Sequence, residues 1–233
     1  MSEWKTLPQE QVFRYDDWPK TEPEDFEVEF RLVFKGKLPS QSSRPVEIKH
    51  QIRKEFHKQL KELWNSHPML KQMLQWPDYK RLNREDPGKT PTMLEGIADN
   101  NARCGFRFIP LIGGRFDTAC GIDVLFLRRD QPGSGLFHSG GDIDNRIKVL
   151  FDALKMPREC NELGGHAPDV DENPFYCLVA DDSLITEVKI TTDRLLTPVA
   201  DDERQNDVHL IIKVRTMVIG TRIPAQMEST FWD

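Results

Sequence analysis

The sequence predicts an α+β fold, a mixed β-sheet packed with helices in the order strand, helix, hairpin, helix, strand, strand. Three observations carry that expectation. Apolar and charged residues alternate from Phe26 to Lys35, with period two. Apolar residues recur at three- and four-residue steps in two stretches, Ile48 to Trp64 and Ile143 to Leu154. Strand-like runs return at Leu184–Thr191 and Val208–Val214. With 233 residues the chain is long enough to bury a sizeable core.

The elements follow in order. Phe26, Val28, Phe30, Leu32 and Phe34 point one way and Glu27, Glu29, Arg31 and Lys35 the other, a half-buried strand. Gly36 to Pro45 is turn-forming. Ile48, Ile52, Phe56, Leu60, Leu63 and Trp64 then line one side of an amphipathic helix whose Lys, Arg and His residues are expected outside. Pro68, Pro77, Pro87 and Pro91 divide the next stretch, giving a short helix over Met69–Leu74 and a connection over 77–102. Phe106 and Phe108, then Ile122, Val124 and Phe126, read as two antiparallel strands joined at Ile112-Gly-Gly-Arg115. After a turn at 130–135 comes the helix from Asp142 to Leu154, ended by Pro157. A long loop at 158–180 precedes the two closing strands.

Charge is unevenly distributed. The surplus of 38 acids over 32 bases, net -6, on its face argues against a nucleic-acid partner. Residues 1–30 alone, with nine acids against three bases, account for that surplus. Between Arg44 and Lys89 eleven bases oppose six acids, whereas from Glu159 to Asp207 thirteen acids face three bases. Phosphate binding is therefore expected to be local. The sequence shows neither a signal-peptide pattern nor a membrane-span-length apolar run, so the expectation is a cytoplasmic protein without membrane contact. Cys104, Cys120, Cys160 and Cys177, widely spaced, are expected as reduced thiols. Cys160, His166 and Cys177 lie close enough in the chain to raise zinc, but their spacing fits no standard site.

The chemistry concentrates at Asp142-Ile-Asp144, where a Gly-Gly turn becomes a helix. At about 100° per residue, Asp144, Lys148, Asp152 and Lys155 share one polar stripe within about 80°. Two readings stand. Asp142 or Asp144 caps the helix and the stripe is solvated; or several carboxylates converge on a hard divalent cation such as Mg²⁺. Lys148 likewise either pairs with Asp144 or offsets charge on a reacting phosphate. Asp181-Asp182, at the head of a strand, strengthens the metal reading, because adjacent acids repel unless something neutralises them.

These residues resemble a known family. Asp142-Ile-Asp144-Asn145-Arg-Ile-Lys148-Val-Leu-Phe-Asp152-Ala-Leu154, with Asp181-Asp182-Ser-Leu-Ile185, is similar to the signature of RusA-type Holliday junction resolvases, Mg²⁺-dependent homodimeric endonucleases that cut four-way DNA junctions. The resemblance implies Asp142, Asp144 and Asp182 as metal-binding and catalytic acids, Lys148 as the catalytic lysine, and Asp152 and Asp181 as accompanying acids. It further implies Mg²⁺, with Mn²⁺ as a substitute, and branched DNA and a second copy as partners. The chain differs in length and in the stretch before Asp142, which is Gly-Leu-Phe-His-Ser-Gly-Gly where the resolvases carry arginines.

The expected organisation is an acidic arm at 1–25, a nuclease domain at 26–218 with insertions at 67–102 and 156–180, and a tail at 219–233. Lys54, Lys58, Lys61, Arg128, Arg129 and Arg146 are the candidate DNA-backbone contacts. His138 is a possible aid to a water or a phosphate. Two other readings share the fold: a non-catalytic junction- or protein-binding module, and a metal nuclease acting on flaps, single strands or RNA.

Overall fold

A computed structural model of the chain describes residues 27–39, 46–78, 81, 87–113, 116–129, 143–196 and 207–219. The acidic arm, most of the tail, Asp142 and His138 lie outside the described residues.

Strand β1, Glu29–Lys37, keeps the alternation read from the sequence, with Phe30, Leu32 and Phe34 buried. It pairs antiparallel with β7, Asp207–Val218, which pairs antiparallel with β4, Thr118–Arg128. Strand β6, Ile185–Arg194, joins β4 in parallel and completes a four-stranded sheet ordered β1-β7-β4-β6. Register places Leu32, Ile212, Val124 and Ile190 in one row across it. The first three are buried; Ile190, on the edge strand, is exposed. The opposite edge is capped: the Val33 N–H donates to Gln59 Oε1 at 2.8 Å and Gln59 Nε2 donates to the Val33 carbonyl at 2.8 Å. That side-chain amide occupies the backbone groups on which another strand would add.

The fold is α+β, but it holds two sheets where one was expected. The second contains β2, Ala102–Arg103, then β3, Phe106–Ile112, and β5, Phe175–Val179, in the order β2-β3-β5. The hairpin expected at Ile112-Gly-Gly-Arg115 is absent, because β3 pairs in parallel with β5 and β4 belongs to the other sheet. Gly113, at φ 96°, and Asp117, at φ 42°, turn the chain between sheets, and the Gly113 N–H donates to Thr118 Oγ1 at 3.1 Å. The tight hairpin sits earlier. Cys104 at φ 55° and Gly105 at φ 83° put two consecutive residues in the left-handed region between β2 and β3, the conformation of a two-residue type I′ turn.

Helix α1, Val46–Ser66, buries Ile52, Phe56, Leu60 and Trp64 as its periodicity requires. It also buries His50, Arg53 and His57, which corrects the expected Lys/Arg/His outer face. The segment at 156–180 folds back over that side and supplies partners. Arg53 Nη1 donates to the Glu162 carbonyl at 3.3 Å, and His57 Nδ1 accepts the Tyr176 N–H at 2.9 Å. Strand β5, within the stretch read as loop, is buried along Phe-Tyr-Cys-Leu-Val, the continuous apolar run of a parallel strand covered on both faces. Helix α2 spans Pro68–Met73. Helix α3, Met93–Asn100, lies in the stretch read as connection, and its start is a capping box between Thr92 and Glu95. Helix α4, Ile143–Leu154, buries Ile147, Leu150 and Leu154. Among the described residues no helix is long and apolar enough to cross a membrane.

Candidate functional site

Helix α4 carries its polar stripe as ion pairs at its two ends. At its start Asp144 Oδ1 accepts the Asn145 N–H at 2.8 Å, and Oδ2 lies 3.4 Å from Lys148 Nζ, with both side chains more than half exposed. At its end Asp152 Oδ2 lies 2.6 Å from Lys49 Nζ on α1, and Oδ1 3.3 Å from Lys155 Nζ. Burial would raise the Asp152 carboxyl, yet the Lys49 hydrogen bond and the charges of Lys49 and Lys155 outweigh it and hold the group below its ordinary value.

The Asp-Asp-Ser turn reaches α4 through β5. The Met156 N–H donates to the Val179 carbonyl at 2.9 Å and the Ala180 N–H to the Ile112 carbonyl at 2.9 Å, so β5 ends between α4 and β3. A 3₁₀ turn, Asp182–Leu184, follows, and Asp181 is its cap. Asp181 Oδ1 accepts the Ser183 hydroxyl at 2.6 Å and the Ser183 N–H at 3.1 Å, while Oδ2 meets the Arg158 guanidinium. The Ser183 hydroxyl, then Arg158, hold its carboxyl well below the usual carboxylate range. Asp181 is thereby committed to the turn. Asp182 points the other way, its Oδ2 3.5 Å from Lys155 Nζ. Burial works against the Lys155 ammonium, but Asp152 and Asp182 outweigh it and raise its affinity for the proton.

Asp182 therefore joins α4 at the Asp152 end. Asp144 and Lys148 sit towards the helix start; the eight residues from Asp144 to Asp152 correspond to about 12 Å along the axis. Among the described residues no three Asp, Glu, His or Cys side chains gather as a metal site. The donors on offer, Asp144 and Asp182 with 55% and 45% of their side chains exposed, are carboxylate oxygens. That donor chemistry fits a hard divalent cation.

The candidate basic contacts are largely engaged. Lys54 Nζ lies 2.7 Å from Asp169 and 2.8 Å from Glu172, and Lys61 donates to the Asp171 carbonyl at 2.9 Å, so acids of the 156–180 segment cover part of the α1 lysine face. Lys58 pairs with Glu55 at 3.0 Å and is exposed. Arg146 Nη1 donates to the Leu38 carbonyl at 2.6 Å; Arg128 is buried, and Arg129 has its Nε buried.

Cys104 and Cys160 form a disulfide, with Cα atoms 5.5 Å apart, which corrects the expectation of four reduced thiols. The two are 56 residues apart, and the fold-back of the 156–180 segment onto the β2–β3 turn is what brings them together. Cys160 is thus spent, and Cys177 is buried in the core. Cys177 and Cys120 remain free, and burial pushes both thiols up to about 12. His166 instead stacks on His50, ring centres 4.9 Å apart.

Sequence reasoning placed Lys155 on the polar stripe but gave no role to Lys49, Arg158 or Ser183. Ser183 could have been found, since a serine two residues after an aspartate favours such a side-chain-capped turn. Lys49 and Asp152 are 103 residues apart, and no local pattern links them.

No family model matches the chain, and comparison with curated proteins and with solved structures finds no match.

Proposed function

We propose that the chain is a Mg²⁺-dependent, structure-specific endonuclease that hydrolyses phosphodiesters in four-way DNA junctions. The observation that supports this reading is the meeting of two acidic segments from distant parts of the chain: the Asp181-Asp182-Ser183 turn packs on α4, whose first turn carries Asp144 and Asn145, and Asp182 is joined to the far end of that helix through Lys155.

Asp144, with Asp142, and Asp182 at the other end of α4 would hold one or two cations. When bound, such a cation supplies an activated water and charge neutralisation for in-line attack on phosphorus. Lys148, more than half exposed beside Asp144, would offset negative charge on phosphate oxygens. Asp181, secured by Ser183 and Arg158, keeps the turn in shape so that Asp182 faces α4. Branched DNA and a second copy of the chain are the proposed partners, and the cytoplasm the proposed location.

The test is cleavage of a labelled panel of four-way junctions, flaps, single strands and RNA with Mg²⁺ or Mn²⁺. Metal-dependent cutting of the junction is expected, abolished by Asp144→Asn and by Asp182→Asn with junction binding retained. Undiminished cleavage by both variants refutes the assignment, and cutting confined to flaps, single strands or RNA replaces the substrate.

A further inference from the structure

We propose that Lys155 is a positioning residue for Asp182, an internal cation that holds this carboxylate against α4 ready to ligate a divalent ion. The inference rests on the metal reading of Asp182 given above. Its ground is the placement of Lys155 at the junction of three elements. Its backbone N–H donates to the Phe151 carbonyl at 3.0 Å, which keeps it on the last turn of α4. A parallel bridge pairs it with Val179 at the end of β5, three residues before Asp182. The backbone of Lys155 is thus fixed to the strand from which the acidic turn departs.

The side chain completes the link. Lys155 Nζ lies 3.3 Å from Asp152 Oδ1 and 3.5 Å from Asp182 Oδ2, so the two carboxylate oxygens are no farther apart than the sum of those distances. Asp152 is itself anchored from the far side by Lys49, 2.6 Å away. Charges alternate along Lys49, Asp152, Lys155 and Asp182. Lys155 has 16% of its side chain exposed, against 63% for Lys148 beside Asp144, so solvent and salt screen its contacts less. A lysine anchored at its backbone and at one carboxylate has little freedom left, and it restricts the second carboxylate accordingly. Supporting groups that orient a ligating carboxylate typically account for about 10–100-fold in metal affinity or activity.

The experiment titrates Mn²⁺ into the full chain without DNA, reading the free ion by electron paramagnetic resonance, and in parallel measures the Mg²⁺ dependence of junction cleavage. Lys155→Met is expected to weaken Mn²⁺ binding by about 10–100-fold and to raise the Mg²⁺ requirement correspondingly. Lys155→Arg, which keeps a cation between the carboxylates, recovers most of the loss. Circular dichroism checks that each variant is folded. If Lys155→Met is unfolded, the arginine variant and Asp152→Asn decide: a folded Asp152→Asn that weakens Mn²⁺ binding while Lys155→Arg does not supports the proposal, and the parent's affinity in Asp152→Asn overturns it. Parent-like metal dependence in a folded Lys155→Met, or an equal defect in the arginine variant, also overturns it. Asp182→Asn separates the two layers. If it leaves Mn²⁺ binding and cleavage intact, the metal reading fails; if it abolishes them while Lys155→Met does not, only the positioning role fails.

Discussion

Lys49 Nζ lies 2.6 Å from Asp152 Oδ2 and ties the first turn of α1 to the last turn of α4. Both side chains are mostly withdrawn from solvent, so the pair is worth more than an exposed one. Asp152→Asn is expected to destabilise the fold by about 1–3 kcal/mol at neutral pH, measured by urea unfolding, with Lys49→Met adding little in the double variant. The pH dependence has a definite sign. Because the folded carboxyl is held below its ordinary value, its stabilisation is full above about pH 4 and is lost as pH falls through the lowered folded value. The Asn variant should show a shallower acid limb.

His50 gives a second, separate pH dependence. Its ring is fully buried, faces Phe106, Phe175 and His166, and neither ring nitrogen has a hydrogen-bond partner among the described residues. Burial first, then the nearby positive charge of Arg53, lowers it from 6.5 to about 4; His166 and Lys54 act in the same direction and Glu172 opposes them. The unfolded chain therefore takes up the proton first, and stability falls as pH drops from about 6.5 to about 4. Thermal unfolding across that range should show the decline. His50→Leu should flatten it without lowering the midpoint at neutral pH.

The disulfide between Cys104 and Cys160 should be a stabilising cross-link. Closing a loop of this length, with the cysteines 56 residues apart, is worth about 4 kcal/mol on the chain-entropy account. Reduction by dithiothreitol, or a Cys104→Ser and Cys160→Ser double variant, should lower the urea midpoint accordingly. Non-reducing mass spectrometry should find one disulfide and two free thiols, since Cys120 and Cys177 are buried apart from it.

Gly113 holds the acidic turn in place from β3. It adopts φ 96°, a region other residues avoid, and a Cβ there would collide with Leu184 and lie 3.2 Å from Ala180 Cβ. Gly113→Ala should cost about 1–3 kcal/mol. Faster hydrogen exchange at the Leu184 N–H, which donates to the Asp181 carbonyl at 3.1 Å, should show that the turn has loosened.

Local pattern made several elements legible. The alternation of β1, the three- and four-residue steps of α1 and the stripe of α4 each place side chains by a period that a short window displays. Helix α3 was also within reach, because Thr92 and Glu95 spell a capping box, and β5 could have been found from its five-residue apolar run despite its position among loop residues. The hairpin was misplaced for a physical reason. A Gly-Gly pair permits a tight turn without requiring one, and the Cys104-Gly105 turn is the one whose flanking strands pair.

By itself, then, the sequence determined the α+β class and the elements that a local pattern displays, β1, α1, α4 and the strands β3, β4, β6 and β7. Tertiary structure decided the rest: the second sheet, the burial of His50, Arg53 and His57, the disulfide, and the joining of Asp182 to Lys155 and Asp152. Periodicity is a property of neighbours, whereas pairing and burial depend on partners far along the chain, as where the Val28 N–H donates to Thr216 Oγ1 across 188 residues. An arginine or histidine reads as solvent-facing until another segment folds over it, and here the 156–180 segment does so for Arg53 and His57.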